Sequence, residues 1–192
     1  MQPAIFLDRD GVIIENNPHY VLSWKDVIFL PDSLQALAKI AKSVYRIIIV
    51  SNQSAVGQGL ITLDEVWNIQ NQIIQEINIA GGRIDQTYFC PHTIKDHCLC
   101  RKPLPRMILT AAQDFQIDLQ ASFLIGDALS DLEAGKAAGI SQTYLVRTGR
   151  GLAQLELQDA KSLEPFQVFD SIGNAINEIL ETLHPNSHQD IS

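Results

Sequence analysis

Long apolar runs are absent from this sequence, and none approaches the roughly 20 residues that a membrane-spanning helix needs. A basic excess is also absent, because 14 lysines and arginines stand against 22 acidic residues, for a net charge of -8. This balance argues against nucleic acid as a partner. The apolar start at 4–7 is too short for a signal peptide and is followed at once by charged residues, so we expect a cytoplasmic protein that does not contact the membrane.

Cysteine is scarce as well, and its three residues, Cys90, Cys98 and Cys100, share one eleven-residue segment. An odd number of closely spaced cysteines makes a poor disulfide framework. Together with His92 they form a Cys3His set, and zinc takes four such ligands tetrahedrally with no open position. We therefore predict a zinc-binding loop with a structural role. Buried or reactive thiols are the alternative, and His97 is a competing ligand whose place beside Cys98 makes its geometry awkward.

Short apolar segments rich in β-forming residues recur along the chain, and helical patterns separate most of them. Such runs are typical of strands buried on both faces of a parallel sheet. The alternation predicts an α/β fold with a Rossmann-like, doubly wound and mainly parallel sheet, as one domain over 1–192 with a frayed tail at 184–192. The predicted strands cover 4–7, 46–50, 86–89, 122–125, 143–146 and 166–169.

Helix boundaries are marked by capping residues. Two patterns of the capping-box type, at 62–65 and 130–133, predict helix starts, and Gly81-Gly82 and Gly139 predict the corresponding ends. Asp32 is predicted to cap an earlier helix, Pro103 begins or precedes another, and a last helix is expected near 172–183.

Polar side chains follow the predicted strands, and ligands bind at the carboxyl ends of strands in open parallel sheets. Asp8 and Asp10 come after the first strand and face one site, because alternate residues of an extended segment point the same way. We expect carboxylates, a hydroxyl, an amide and cations to converge from four strand ends. The further candidates are Ser51 and Asn52 after the second strand, Arg101 and Lys102 beyond the third, and Asp127 after the fourth, with Asp131 four residues on. The hydroxyl and the amide are able to hold an oxyanion, and the two cations can bind phosphate.

This set of groups suits phosphoryl transfer. A phosphate ester repels a carboxylate nucleophile unless a divalent metal and a lysine offset its charge. Attack by an aspartate divides the reaction into two easier steps through a phosphoenzyme. A single aspartate at a strand end is often only a turn former or helix cap, and Asp131 fits that structural role equally well. Agreement between several strand ends favours the catalytic interpretation.

Four motifs in order, DRDGV, SNQS, RKP and GDALSD, resemble those of haloacid dehalogenase-type phosphatases. The resemblance implies that Asp8 is the nucleophile and that Asp10 is the general acid and later the base for water. It also implies that Ser51 and Lys102 bind the phosphate. Asp127 would hold magnesium with Asp8 and the backbone carbonyl of Asp10, and Asp131 would support that site.

The segment CPH…CLCRKP narrows the resemblance to two groups that carry a zinc loop, the D-glycero-D-manno-heptose 1,7-bisphosphate 7-phosphatases and the histidinol-phosphate phosphatases. NQSAVGQG, RKPLPRM and LVRTGRG look closer to the heptose group. This implies a magnesium-dependent enzyme that removes the 7-phosphate of a sugar bisphosphate destined for surface polysaccharide. We also expect a monomer without a large cap domain, because the longest insertions, between Asp10 and Pro31 and around the zinc-binding loop, are too short to form one. Ala128 departs from both groups, which usually carry a basic residue there. Arg147 and Arg150 either compensate by reaching a second phosphate or are ordinary solvated arginines.

Two functions of another class are compatible with parts of the sequence. A non-catalytic zinc-binding interaction module on the same fold predicts structure without turnover, and the complete set of candidate catalytic groups argues against it. A zinc-dependent nucleic-acid binder is disfavoured by the acidic charge.

Overall fold

A single sheet of six parallel strands runs through the computed structural model, which describes residues 1–183. The strands are β1 (Ala4–Leu7), β2 (Arg46–Asn52), β3 (Gln86–Cys90), β4 (Phe123–Gly126), β5 (Gln142–Val146) and β6 (Gln167–Phe169). Their order across the sheet is β3-β2-β1-β4-β5-β6, and each neighbouring pair is parallel. The predicted doubly wound parallel sheet is confirmed. The predicted tail at 184–192 lies outside the described residues.

Eight α-helices connect or flank these strands in the described part of the chain. They are α1 (Ser33–Ile40), α2 (Ser54–Gly57), α3 (Leu63–Ile79), α4 (Arg106–Phe115), α5 (Leu129–Ala138), α6 (Gly151–Leu155), α7 (Gln158–Ser162) and α8 (Ile172–Leu183). The start of α3 is the predicted one, because Thr62 Oγ1 accepts from the Glu65 amide at 3.2 Å while Glu65 Oε2 accepts from the Thr62 amide at 2.8 Å. Helix α5 ends at the predicted Gly139, whose φ of 92° favours glycine.

One predicted helix start was wrong, and one predicted cap residue has the expected position without the expected side-chain bond. Helix α5 begins at Leu129, before the predicted capping residue Ser130, because Asp131 Oδ2 reaches back to accept from the Ala128 amide at 3.0 Å. Asp32 stands before α1, but its carboxylate accepts from the Gly173 amide at 3.1 Å and from the Ser171 hydroxyl. Asp32 thus accepts hydrogen bonds from residues at the start of α8, a helix far along the chain that packs against α1.

Two apolar layers enclose the sheet. On one face, Ile5 and Leu7 of β1 pack with buried residues of α1, α3 and α8. On the other face, Ala4 and Phe6 pack with buried residues of α4 and α5. Alternate side chains point to opposite faces, so a strand of four fully buried apolar residues serves both layers. The polar residues are thereby left at the carboxyl ends of the strands.

The order of the strands creates a crevice beside β1. The chain runs from β1 towards β2 and β3 on one side, and β4 later pairs with the other side of β1. Such reversals of direction are where open α/β sheets bind ligands. The long connections 8–32 and 91–105 contain only short 3-10 turns and isolated bridges, so the described residues include no large cap. Within residues 1–183 there is also no helix long and apolar enough to cross a membrane.

Candidate active site

The carboxyl ends of β1, β2 and β4 meet at a cleft of about 700 Å³. Beyond β1, the Asp8 amide donates to the Ile125 carbonyl at 3.0 Å, which extends the parallel pairing by one residue and holds Asp8 beside β4. The strand-end residues predicted from the sequence are therefore brought together here, and Asp127 lies fully buried behind the cleft wall. The cleft lining includes Asp8, Asp10, Ser51, Lys102, Asp131 and Arg150.

Lys102 is the cation at the centre of this site. Its Nζ lies 3.0 Å from Asp8 Oδ1 and 2.6 Å from Asp131 Oδ1, and it donates to the Val50 carbonyl at 2.8 Å. Burial alone lowers the pKa of Lys102, but the two carboxylates outweigh burial and the net pKa is raised. Lys102 is therefore charged at neutral pH.

Asn52 holds the main chain of Lys102. Its Oδ1 accepts from the Lys102 amide and its Nδ2 donates to the Lys102 carbonyl, both at 3.1 Å. The amide predicted to bind an oxyanion is thus engaged with the peptide that carries the lysine. Asn52 ends β2, so this clamp attaches the 91–105 connection directly to the sheet.

Asp8, Asp127 and Asp131 form a compact acidic cluster in which one carboxylate oxygen of each lies within 4.8 Å of the others. The net pKa of Asp8 is raised to about 6. Burial is the largest cause, Lys102 opposes it by lowering the pKa, and the nearby Asp131 and Asp10 raise the pKa further. Three buried carboxylates of this kind match the oxygen ligands that magnesium prefers. Of the predicted magnesium ligands, Asp8 and Asp127 therefore lie in the cluster, and Asp131 joins them.

The side chain of Asp10 is turned towards Arg9 and Gln53. Arg9 binds it with two parallel bonds, Nε to Oδ2 at 3.0 Å and Nη2 to Oδ1 at 3.1 Å, and Gln53 Nε2 donates to Oδ2 at 2.9 Å. Ser51 Oγ lies 3.4 Å from the same oxygen. Arg9 is itself almost fully buried and lies over the ring of Phe89. No role was predicted for Arg9, although a cation two residues after a buried strand was an available signal, and the contact of Gln53 with Asp10 was not predicted either.

The two arginines considered as compensation for Ala128 occupy different places. Arg150 donates to the Asp127 carboxylate from its amide, its Nε and its Nη2, at 2.9, 3.2 and 2.9 Å. Arg147 instead pairs with the exposed Asp170 at 2.5 Å. Burial raises the pKa of Asp127, and the bonds from Arg150 offset part of that effect. Arg150 therefore belongs to the site, and Arg147 belongs to the surface.

The four predicted zinc ligands lie together at the rim of the cleft. The five close pairs among the Sγ atoms of Cys90, Cys98 and Cys100 and the Nδ1 of His92 span 3.2 to 3.7 Å. Such separations suit four ligands around one ion at ordinary zinc distances. His97 is not among the four and ends a 3-10 turn in the left-handed conformation. Arg101 follows the cluster and donates to the His92 carbonyl at 3.2 Å.

Comparison with known proteins agrees with this geometry. A family model described as HAD-hydrolase-like matches residues 99–175. The crystal structure of D,D-heptose 1,7-bisphosphate phosphatase from Bordetella bronchiseptica, complexed with magnesium and phosphate, superposes with a TM-score of 0.87 at 32% identity, covering 94% of this chain and 99% of that chain. Fold and site thus define a phosphatase of the haloacid dehalogenase class.

Curated relatives narrow that class. The D-glycero-beta-D-manno-heptose-1,7-bisphosphate 7-phosphatase of Rhodopseudomonas palustris is 40% identical over 146 residues, which are 72% of this chain and 81% of the relative. The enzyme of the same description from Neisseria meningitidis is 35% identical over 168 residues, covering 88% and 89%. The chain belongs to this family of phosphatases, and the predicted resemblance to the heptose group is confirmed.

Proposed function

We propose that this phosphatase removes the 7-phosphate of D-glycero-D-manno-heptose 1,7-bisphosphate through an aspartyl-phosphate on Asp8. The observation that carries the chemistry is the position of Asp8, which Lys102 contacts at 3.0 Å inside a cluster of three buried carboxylates beside an open cleft. The substrate is inferred from the descriptions of the relatives.

Asp8 attacks the phosphorus atom, and Lys102 assists by offsetting negative charge. The free carboxylate oxygen of Asp8 bonds to phosphorus as the bond from phosphorus to the sugar oxygen breaks, and water later displaces Asp8 to release phosphate; the buried ammonium of Lys102 offsets negative charge on the reacting groups. Because Lys102 also contacts Asp131 and the Val50 carbonyl, it is held in place before substrate arrives. Ser51 Oγ, at the end of β2, is placed to donate to a phosphate oxygen in the same cleft.

Asp10 acts as the general acid and then as the general base. In the first step it protonates the leaving oxygen of the sugar, and in the second it takes a proton from the water that attacks the phosphoenzyme. Its side chain is 20% exposed at the cleft, and Arg9 and Gln53 hold it there. To reach the leaving oxygen of the sugar, the Asp10 side chain has to turn away from Arg9, whose two hydrogen bonds occupy both of its carboxylate oxygens.

Two metals fit the donor groups. Magnesium would be held by Asp8, Asp127 and the Asp10 carbonyl, with Asp131 adjacent, and when bound it would neutralise charge on the phosphate and its nucleophile. The Cys3His cluster suits zinc in a structural role, because all four ligands come from the protein. The cluster directly precedes Arg101 and Lys102, so it would keep the 91–105 connection in the shape that the active site needs.

The cleft wall suits a polar, phosphorylated metabolite. Asn16, Asn17 and Tyr20 line it from the 8–32 connection, and Arg101 lines it from the zinc loop. Amide and hydroxyl groups of this kind can bind sugar hydroxyls, and the arginine can bind an anionic group. Tyr20 is held by Gln58, whose Nε2 donates to the phenol oxygen at 2.6 Å.

The test is phosphate release with magnesium, comparing heptose 1,7-bisphosphate with histidinol phosphate at equal concentrations. We expect a strong preference for the heptose, and Asp8→Asn protein serves as the inactive control. A preference for histidinol phosphate would overturn the proposed substrate. Failure to hydrolyse any phosphate ester would overturn the enzymatic role in favour of a non-catalytic module.

A further inference from the structure

The buried carboxylate of Asp127 already has a cationic partner in this chain. Three donors of Arg150 contact it: the backbone amide and Nε bind Oδ2, and Nη2 binds Oδ1. Asp127 is 0% exposed, whereas the side chain of Arg150 is 52% exposed at the cleft. The guanidinium therefore contacts the acidic cluster while about half of the side chain is exposed at the cleft.

The contact is built into the loop that follows β5. Gly149 and Gly11 have φ values of 58° and 88°, and a Cβ on either glycine would overlap the Asp127 carboxylate. Thr148 Oγ1 donates to the Gly11 carbonyl at 2.6 Å, which fastens this loop to the segment after β1. The two segments therefore pack closely against Asp127. Arg150 directly follows Gly149, and this places its amide and its guanidinium on the Asp127 carboxylate.

The same carboxylate belongs to the cluster that fits a divalent cation. A cation bound between Asp8 and Asp127 would use an oxygen of Asp127, and both of those oxygens are engaged by the arginine. A guanidinium at hydrogen-bond distance would also repel that cation. Both contacts cannot persist unchanged, so part of the bonding between Arg150 and Asp127 has to be exchanged for the metal.

We infer that Arg150 is an internal counter-ion that competes with magnesium for Asp127 and, once displaced, binds the phosphate of the substrate that is not cleaved. The second part rests on the proposed function, because it needs a substrate with two phosphates. The forked guanidinium suits phosphate oxygens, and Arg150 already lines the cleft. Ala128 offers no cation at the neighbouring position, so Arg150 supplies the positive charge there.

The first experiment measures magnesium affinity without substrate, by isothermal titration calorimetry of the zinc-loaded full chain. Arg150→Gln keeps donor groups but removes the charge, and Arg147→Gln is the matched control at a surface arginine of the same loop. We expect magnesium to bind Arg150→Gln about tenfold more tightly than wild type, in line with the loss of a charge-assisted competitor. The affinity of Arg147→Gln should equal that of wild type.

Equal or weaker magnesium binding by Arg150→Gln would overturn the competition. If Arg150→Gln does not fold, Arg150→Lys carries the test, because it keeps the charge but loses the fork that engages both oxygens. A smaller gain of about threefold is expected there, and no gain overturns the inference. This readout involves no turnover, so it can fail or succeed independently of the proposed substrate.

The second experiment addresses the displaced arginine. At saturating magnesium, the ratio of the KM for heptose bisphosphate to the KM for p-nitrophenyl phosphate should rise about tenfold in Arg150→Gln, because only the bisphosphate offers a second anionic group. An unchanged ratio would overturn the role in substrate binding. If wild type itself shows no preference for the bisphosphate, the proposed function fails and the magnesium result still decides the competition.

Discussion

The side-chain amide of Asn52 and the main chain of Lys102 form two hydrogen bonds of 3.1 Å, one in each direction. This pairing joins the end of β2 to the segment after the zinc loop and brings the Lys102 ammonium to Asp8 and Asp131. The position of the central cation therefore depends on a residue 50 positions earlier in the chain.

Replacing Asn52 by alanine should disturb this arrangement. Loss of two partly buried hydrogen bonds should lower the free energy of unfolding by about 1–3 kcal/mol and reduce kcat/KM by about tenfold or more, because Lys102 is no longer held against Asp8. Urea unfolding and phosphate release measure the two effects. Asn68→Ala, at an exposed position of α3, is the control and should change neither. Normal activity in Asn52→Ala would show that the clamp is dispensable.

Replacing Asp8 by asparagine or alanine should abolish turnover. Asp8 is the proposed nucleophile, and in that role it is the only group that forms the covalent bond, so we expect a loss of at least about 10³-fold in kcat while the circular dichroism spectrum stays native. Phosphate release and trapping of the acid-stable phosphoprotein check this. Substantial activity in either variant would mean that the nucleophile has been misassigned.

The raised pKa of Asp8 links stability to pH in protein prepared without magnesium. Its folded pKa of about 6 exceeds the ordinary 3.8, so the folded state holds the proton more tightly and this contribution to stability is lost as pH rises through about 6. The loss amounts to up to about 3 kcal/mol, since each pKa unit corresponds to about 1.4 kcal/mol. The asparagine in Asp8→Asn does not titrate, so the free energy of unfolding of this variant should not show this loss.

Urea unfolding of wild type and Asp8→Asn between pH 4 and 7 measures the difference. The stability of the variant relative to wild type should increase as pH rises, and added magnesium should shrink the increase, because the ion favours ionised Asp8. A difference that stays constant over this range would contradict the assigned environment of Asp8.

Removing the proposed zinc ligands should lower the stability of the protein. Cys98→Ser and Cys100→Ser should reduce bound zinc from one equivalent to nearly none and lower the unfolding temperature by about 10 °C or more. Elemental analysis and calorimetry make the check. His97→Ala is the matched control, because His97 adjoins Cys98 but lies outside the four-ligand cluster. Retention of a full zinc equivalent in the serine variants would show that the site is held by other groups.

Much of the site was predictable because its residues follow strands. A parallel sheet places the carboxyl ends of its strands along one edge, so Asp8, Asp10, Ser51 and Asp127 converge once the strands are recognised. The Cys3His cluster was predictable for a local reason, since its four side chains lie within eleven residues and have few alternative partners. The start of helix α5 was mispredicted because Ser130 and Asp131 can both accept a hydrogen bond from the amides at a helix start. Which of the two does so depends on the backbone geometry, and in the structure Asp131 binds the Ala128 amide.

The sequence by itself determined the class of fold, the strand-end carboxylates, the lysine and the Cys3His cluster, because periodicity and short-range spacing encode them. Only the tertiary structure decided which distant groups hold them: Asn52 on Lys102, Arg9 and Gln53 on Asp10, and Arg150, not Arg147, on Asp127. Those contacts join segments that are separate along the chain. They depend on side-chain directions that the packed sheet and its loops impose, and no local pattern carries that information.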